Sequence, residues 1–300
     1  MAKRVTPAME KWQRVNAKRK KEATSGKDAW RRLLKNKLAV VGMIIILIFI
    51  LFAIFADILA PYDPNYQDLT AMYQSPSSQH WFGTDNLGRD ILSRIIWGAR
   101  VSIPVGLLCV AVSLTIGGLI GVLAAYWGGT KDNVLMRIMD IFQSIPGVVL
   151  AIAIIAAFGN GVVNLVIAIA VSMMPASARV CRAAILTVRG NEYVLSAQAI
   201  GASPLRQIFK YMLPNALGPI IVSATFMVAT DILIVSALSY IGMGIVSPTV
   251  EWGAMLSAAK DYMRQYPYMI IFPGVSIMLT VFGINVFGDG LRDALDPRLK

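Results

Sequence analysis

Long apolar runs that are almost free of charge recur along this 300-residue chain. The hydrocarbon core of a bilayer is about 30 Å thick, so a helix that crosses it needs about 20 mostly apolar residues. Five runs are long enough: 38–56, 101–130, 141–178, 211–250 and 265–288. The third run suffices for two crossings, separated at Gly159-Asn160-Gly161. The pattern therefore predicts an all-α membrane protein with six transmembrane helices.

The ends of these runs set the expected boundaries. We expect a first transmembrane helix at 38–59 and an extracytoplasmic segment at 60–98, with a short helix near 90–97. The core, 99–289, contains five helices and a loop, expected at about 100–127, 134–158, 162–180, 214–245 and 267–288, with the loop at 189–213. Each core helix contains one proline, which acts either as a hinge or as a static kink: Pro104, Pro146, Pro175, Pro219 and Pro273.

Positive charge is concentrated at the N terminus. Residues 1–37 contain 13 Lys and Arg against 3 Asp and Glu, which accounts for +10 of the net charge of +11. Basic residues are retained in the cytoplasm during membrane insertion. With the 1–37 tail inside, six helices place 23 of the 28 Lys and Arg on that side. We therefore expect both termini, including a short tail at 290–300, in the cytoplasm, Trp30 at the membrane interface, and no nucleic-acid partner.

Composition supports burial in lipid and argues against several kinds of site. The chain is 56% apolar and 15% charged, whereas soluble domains carry about a quarter charged residues. Cys109 and Cys181 fall in or beside predicted membrane helices, and His80 is the single histidine. We therefore expect neither a disulfide framework nor a metal site. The sequence also lacks a G-x-x-x-x-G-K-[S/T] phosphate loop, so we expect no bound cofactor and no catalysis by this chain.

One predicted cytoplasmic loop differs from a simple connector. Residues 189–214 read RGNEYVLSAQAIGASPLRQIFKYMLP. The composition of 192–200 favours a helix, Gly201 suits a left-handed exit, and Ser203-Pro204 is typical of the start of a second helix. Such a loop presents an apolar ridge to a groove on a soluble partner, or packs against the inner surface of its own protein. The ridge consists of Val194, Leu195, Ala197 and Ile200.

At this loop the chain resembles the permease subunits of binding-protein-dependent ABC importers. Their signature is EAA, three residues, Gly, nine residues, then I-x-L-P. Ala197, Gly201, Leu213 and Pro214 match at the right spacing. Three positions depart from the signature: Leu195 and Ser196 replace its Glu and first Ala, and Tyr211 replaces its Ile. An ion pair from the family's Glu to the ATPase is therefore not transferred to this chain, whereas apolar docking is.

Three further stretches narrow the resemblance to the dipeptide, oligopeptide and nickel permeases of the C-subunit type. They are WFGTDNLGRDILSRIIWGAR at 81–100, PTVEWGAML at 248–256 and GDGLRDALDPRLK at 288–300. The similarity extends over about 31–300. It implies a type I ABC importer permease fold with a cytoplasmic coupling helix, in the inner membrane of a prokaryote.

The resemblance also implies partners and site residues. We expect a second, homologous permease, two ATPase subunits that bind ATP and Mg, and an extracytoplasmic substrate-binding protein. The residues implied in ATPase coupling are Leu195, Ser196, Ala197, Ile200, Gly201, Ala202, Leu213 and Pro214. Peptides are the expected cargo, and nickel or a metal chelate is the alternative within the family. A proton-coupled carrier and a membrane scaffold without a pore are the alternatives outside it.

Asp231 is the acidic residue set deepest in a predicted membrane helix. Ionisable groups at that depth are costly and are commonly functional. We expect Asp231 either to line the pore or to hydrogen-bond to the partner permease. In the outer segment, we expect Asp85 or Asp90 to pair with Arg89 or Arg94 and so to brace that segment.

Overall fold

The computed structural model describes residues 26–295, and within that range the chain is helical, with one isolated β-bridge between Thr84 and Asp90. The predictions for residues 1–25 and 296–300 lie outside the described residues. We number the helices α1 (Gly26–Lys35), α2 (Lys37–Ile54), α3 (Ala56–Leu59), α4 (Ile91–Trp127), α5 (Gly129–Gln143), α6 (Gly147–Phe158), α7 (Val162–Arg189), α8 (Glu192–Ala199), α9 (Pro204–Tyr240), α10 (Trp252–Ala259) and α11 (Tyr268–Leu295).

Five of the described helices are long and apolar enough to cross a membrane: α2, α4, α7, α9 and α11. Helices α5 and α6 make a sixth crossing if they count as one span, but a bend of 75° separates them. The expected continuous helix at 134–158 is therefore wrong. Pro146 stands in the break, and it lacks a backbone N–H and disfavours helical geometry at the residue before it.

The remaining spans are located as expected, but most of their ends differ. The short helix expected near 90–97 is instead the start of α4, where the Asp90 side chain accepts a hydrogen bond from the Ser93 backbone N–H at 2.7 Å. Likewise, α7 and α11 continue past 180 and 288 to Arg189 and Leu295. Hydropathy marks only the part of a helix that lies in lipid, whereas backbone hydrogen bonding continues into the polar regions.

Small residues bring the spans into close contact. A Cβ atom on Gly121 of α4 would collide with the Ala178 carbonyl oxygen of α7, and one on Gly42 of α2 would lie 2.6 Å from the Gly283 carbonyl oxygen of α11. Small residues favour helix association in membranes because they let backbones approach closely. Helices α4 and α7 therefore form one tightly packed pair, and α2 and α11 form another.

The outer segment, 60–90, is held by internal polar contacts. Arg89 Nε donates to Asp85 Oδ2 at 2.7 Å, and Arg94 Nη1 donates to the Pro64 carbonyl oxygen at 2.8 Å. The expected pairing of Asp85 is confirmed. Of the two acids offered as alternatives, Asp85 is the one that pairs with arginine, whereas Asp90 contacts His80 Nδ1 at 2.9 Å.

Helix α10 in the outer loop 241–267 is anchored by a buried acid. Glu251 Oε2 accepts a hydrogen bond from the Ala254 N–H at 2.8 Å, and Glu251 Oε1 accepts one from Ser102 Oγ of α4 at 3.2 Å. The adjacent Trp252 donates its indole N–H to the Ile95 carbonyl oxygen at 3.0 Å. Burial raises the pKa of the Glu251 carboxyl. The outer loop is thus fixed to the outer half of α4.

Candidate functional site

The loop between α7 and α9 has the predicted arrangement of helix, glycine turn and helix. Gly201 has φ +75°, and the N–H of Ala202 donates to the Ala197 carbonyl oxygen at 3.0 Å. These features end α8 with a left-handed glycine, as is common at helix C termini. A Cβ atom on Gly201 would meet no atom within 4 Å, so backbone conformation rather than crowding requires the glycine.

The second arm of the loop is continuous with a membrane span. Ser203 precedes the helix, Pro204 begins it, and the Ser203 carbonyl oxygen accepts from the Gln207 N–H at 2.9 Å. The Ser203 side chain itself makes no capping hydrogen bond. A π-helical turn at Gln207–Met212 follows, and the helix then runs on to Tyr240. The second arm of the loop therefore continues into the membrane span of α9 without a flexible connection.

Half of the predicted ridge is buried inside the protein. Val194 is 0% exposed and Ala197 is 3% exposed. Val194 packs against the ends of α4, α7 and α9, in a cluster with Val122, Ala125, Cys181, Ala184, Ile185, Val188, Ile208, Met212, Ala216 and Ile220. Burial of these two side chains favours packing against the protein's own surface, and a coupling role for Ala197 stays a prediction.

The other half of the ridge is exposed, and the second arm adds to it. Leu195 is 51% exposed and Ile200 is 79% exposed. Leu205 and Phe209 are also largely exposed, although the sequence reasoning did not assign them a role. Their i, i+4 spacing places them on one side of a helix and was a usable signal. We call these four residues the exposed loop residues.

The other residues implied in coupling are distributed between surface and interior. Ser196, Gly201 and Pro214 are exposed, whereas Ala202 and Leu213 are half-buried. Leu213 packs against the buried cluster that contains Val194. The structure thus brings Ser196 and Gly201 to the same loop surface as Leu195 and Ile200, and it assigns Leu213 to the support beneath that surface.

Polar contacts fasten the loop to the inner end of α4. Gln207 is buried; its Nε2 donates to the Ala202 carbonyl oxygen at 2.6 Å, and its Oε1 accepts from Tyr126 Oη at 3.2 Å. Arg189 Nη1 donates to the Ala125 carbonyl oxygen at 3.0 Å. Gln207 and Tyr126 are 81 residues apart in sequence, so no local pattern indicated this link.

Asp231 lies inside the helix bundle. The residue is 1% exposed, and neither carboxylate oxygen has a hydrogen-bond partner among residues 26–295. It faces the interior near Cys109 of α4, and the next residue, Ile232, packs against Gly106. In this conformation Asp231 therefore does not line an open surface of the described chain, contrary to the expected pore-lining position.

Comparison with protein families places the chain among known transport proteins. Residues 117–300 match the family described as binding-protein-dependent transport system inner membrane component. Residues 24–76 match the N-terminal transmembrane domain of oligopeptide transport permease C. Together the two matches cover the first span and most of the core, and they agree with the resemblance inferred from the loop motif.

Individual relatives are similar over almost their whole length. The dipeptide transport system permease protein of Alkalihalophilus pseudofirmus is 45% identical, covering 91% of this chain and 90% of that protein. The oligopeptide transport system permease protein of Bacillus subtilis is 41% identical, covering 94% and 92%. A glutathione transport system permease protein of Pectobacterium atrosepticum is also 41% identical, covering 92% of each.

A solved structure confirms the fold. A chain of a methionine ABC transporter in inward facing conformations aligns with a TM-score of 0.58, covering 69% of this chain and 98% of that chain. The two sequences are 19% identical, so the likeness concerns the fold. The predicted permease fold of type I importers is therefore confirmed, with five spans that become six when α5 and α6 count as one.

Proposed function

Because this chain belongs to the family of binding-protein-dependent transport system inner membrane components and is a permease of an ABC importer, we propose that it carries dipeptides or oligopeptides into the cell. The relatives described above are named for dipeptides, oligopeptides and glutathione, which are all peptides. Peptide cargo is therefore favoured over nickel or a metal chelate.

The energy comes from ATP hydrolysed with Mg in two partner ATPase subunits. A second, homologous permease completes the membrane part, and an extracytoplasmic binding protein delivers the peptide. The loop and both termini face the cytoplasm in this proposal, because the basic residues of the sequence are concentrated on that side. Membership in the family supports an assembly of permease, ATPase and binding components.

The loop at 189–213 is the element that couples ATP hydrolysis to transport. The observation that carries this proposal is its division into an exposed apolar side and a buried side. The exposed loop residues fit an apolar groove on an ATPase, as amphipathic helices commonly do. Beneath that surface, Val194 packs against α4 and α7, and Gln207 hydrogen-bonds to Tyr126 of α4. The second arm of the loop is itself the first part of the membrane span α9. Movement of the ATPases is thereby transmitted to the membrane helices as a rigid displacement.

Replacement of Ile200 by Asp tests this proposal. The substitution places a charge in the docking surface but leaves the buried cluster intact, because the Ile200 side chain is 79% exposed. We expect the ATPases to be lost from the purified complex, or binding-protein-stimulated ATPase and dipeptide uptake to fall together at least tenfold, equivalent to about 1.4 kcal/mol.

Met263→Asp is the matched control, since Met263 is an exposed apolar residue in the outer loop. This variant should retain the ATPases. Wild-type ATPase retention and stimulation in Ile200→Asp would overturn the coupling role. Uptake of nickel rather than labelled dipeptide by the wild-type complex would overturn the cargo.

A further inference from the structure

Helix α1 is amphipathic and is attached to the protein along one side. Ala29 and Leu33 are buried against Ala39 of α2 and Ala294 of α11. The side chain of Asn36 accepts hydrogen bonds from the N–H groups of Leu38 and Ala39 at 3.1 and 3.3 Å, which ends α1 and starts the first span. The helix is thus held at the end of the bundle where α2 begins and α11 ends.

The opposite side of α1 combines apolar and basic residues. Trp30 is 53% exposed, and Leu34 and Leu38 follow at intervals of four residues, both largely exposed. Leu38 belongs to the first span, and the next outward residues of that span, including Val41, are also exposed. The apolar side of α1 therefore continues directly into a surface that faces lipid.

Basic residues lie beside this apolar side. No ion pair joins Arg31, Arg32, Lys35 or Lys37 to an acid of residues 29–295, although Asp289 and Asp293 are exposed near the end of α11. Nη1 of Arg32 is shielded from solvent and has no hydrogen-bond acceptor within that same range. A guanidinium nitrogen that has lost water without gaining an acceptor is unfavourable, so turning toward a phosphate would stabilise it.

We propose that α1 lies in the interface of the cytoplasmic leaflet and binds the headgroups of anionic phospholipids through Arg31, Arg32, Lys35 and Lys37. Amphipathic helices with aromatic and basic residues bind such surfaces by combining apolar insertion with charge attraction. The sequence before α1 adds 8 Lys and Arg against 2 Glu in residues 1–25. Trp30 and Leu34 favour lipid over RNA or an acidic protein, since they continue the exposed apolar surface of α2 at Leu38 and Val41.

Native mass spectrometry of the complete transporter tests the proposal. The complex is purified in mild detergent and mixed with equal amounts of phosphatidylglycerol and phosphatidylcholine. We expect the wild type to retain phosphatidylglycerol preferentially and the triple variant Arg31→Gln, Arg32→Gln, Lys35→Gln to lose much of this preference. A single Arg32→Gln should weaken it about fivefold, the value of one basic side chain near an anionic surface.

Two controls separate this site from general charge effects. Lys260→Gln with Arg264→Gln removes exposed basic residues from the outer loop and should leave the preference unchanged. The triple variant retains Ala29 and Leu33, so α1 keeps its packing. Lipid bound to the other subunits contributes equally to all variants and cancels in the comparison.

Equal retention of phosphatidylglycerol by the wild type and the triple variant would overturn the proposal. Displacement of the lipid by millimolar inorganic phosphate would also overturn it, because the site would then be one for soluble anions. Preferential capture of a labelled RNA by the wild type would assign the surface to nucleic acid instead. This inference rests on the proposed function only for the choice of the cytoplasmic leaflet. If the wild-type complex retains phosphatidylglycerol as expected but transports no peptide, the transport proposal fails and the lipid site stands.

Discussion

The loop at 189–213 and the outer segment connect membrane helices on opposite sides of the predicted bilayer, but they are stabilised in different ways. Where the outer segment meets α4, the charged side chains of Asp85, Arg89 and Arg94 are all buried. The loop turns apolar residues outward, where Ile200 and Leu205 are mostly exposed. A buried ion pair ties a segment to its own subunit, whereas exposed apolar residues are stabilised when a partner covers them. The difference supports the proposal that another subunit covers the loop.

Removal of the buried acid in the outer segment should have the largest effect on stability. Asp85→Ala leaves the Arg89 and Arg94 guanidinium groups buried without a carboxylate. Breaking a buried ion pair typically costs about 3–5 kcal/mol, because one charge remains uncompensated. We expect a clearly lower thermal unfolding midpoint of the purified complex, followed by tryptophan fluorescence.

Asp57→Ala serves as the control for Asp85→Ala, because Asp57 pairs with Arg100 at 2.8 Å in an exposed position. This variant should unfold near the wild-type midpoint. Equal midpoints for Asp85→Ala and the wild type would show that the outer segment does not depend on its buried charges, and the comparison with the loop would fail.

Replacement of Gly201 by Val should affect function more than global stability. A β-branched residue at φ +75° is strained, with a cost of about 1–3 kcal/mol. The strain falls on the turn between the two arms, so we expect binding-protein-stimulated ATPase and peptide uptake to decrease together. The measurement is both rates in reconstituted liposomes.

Gly190→Val is the matched substitution for Gly201→Val. Gly190 lies at the other end of α8, has φ −85°, and has open space around its Cβ position. Near-normal activity is expected in this variant. Unchanged ATPase stimulation in Gly201→Val would contradict the role of the loop as a rigid coupling element.

The smallest effect on stability and transport is expected for a substitution of Gln207. Gln207 is a buried polar side chain of the loop, and buried polar side chains are the feature that stabilises the outer segment. Gln207→Ala removes the hydrogen bonds to Ala202 and Tyr126. A neutral hydrogen bond contributes about 0.5–1.5 kcal/mol. We expect a small loss of thermal stability and fewer peptides transported per ATP, because the loop is less firmly attached to α4.

Gln198→Ala changes an exposed glutamine of the same loop and should keep the wild-type ratio of transport to hydrolysis. If Gln207→Ala also keeps that ratio, the Gln207 hydrogen bonds are not needed for coupling, and apolar packing together with the Arg189 contact to Ala125 suffices to attach the loop. The loop and the outer segment would then differ more clearly, because buried polar contacts would matter for the outer segment and much less for the loop.

Much of the candidate site was predictable because its signals are local. Gly201 and Ser203-Pro204 predicted the turn, and Ala197, Leu213 and Pro214 matched the signature of the family. The orientation of individual side chains was not predictable. Val194 and Leu195 are adjacent and both apolar, yet the first is buried and the second exposed, because only Val194 faces the ends of α4 and α7.

The sequence by itself determined the membrane spans, the helix-glycine-helix loop and the family. These features follow from local hydropathy, backbone preference and short motifs. Only the tertiary structure decided that Gln207 joins Tyr126 and that Asp231 is enclosed. Each of these outcomes depends on which distant helices pack together, and the energy of such packing is not contained in any single stretch of the chain.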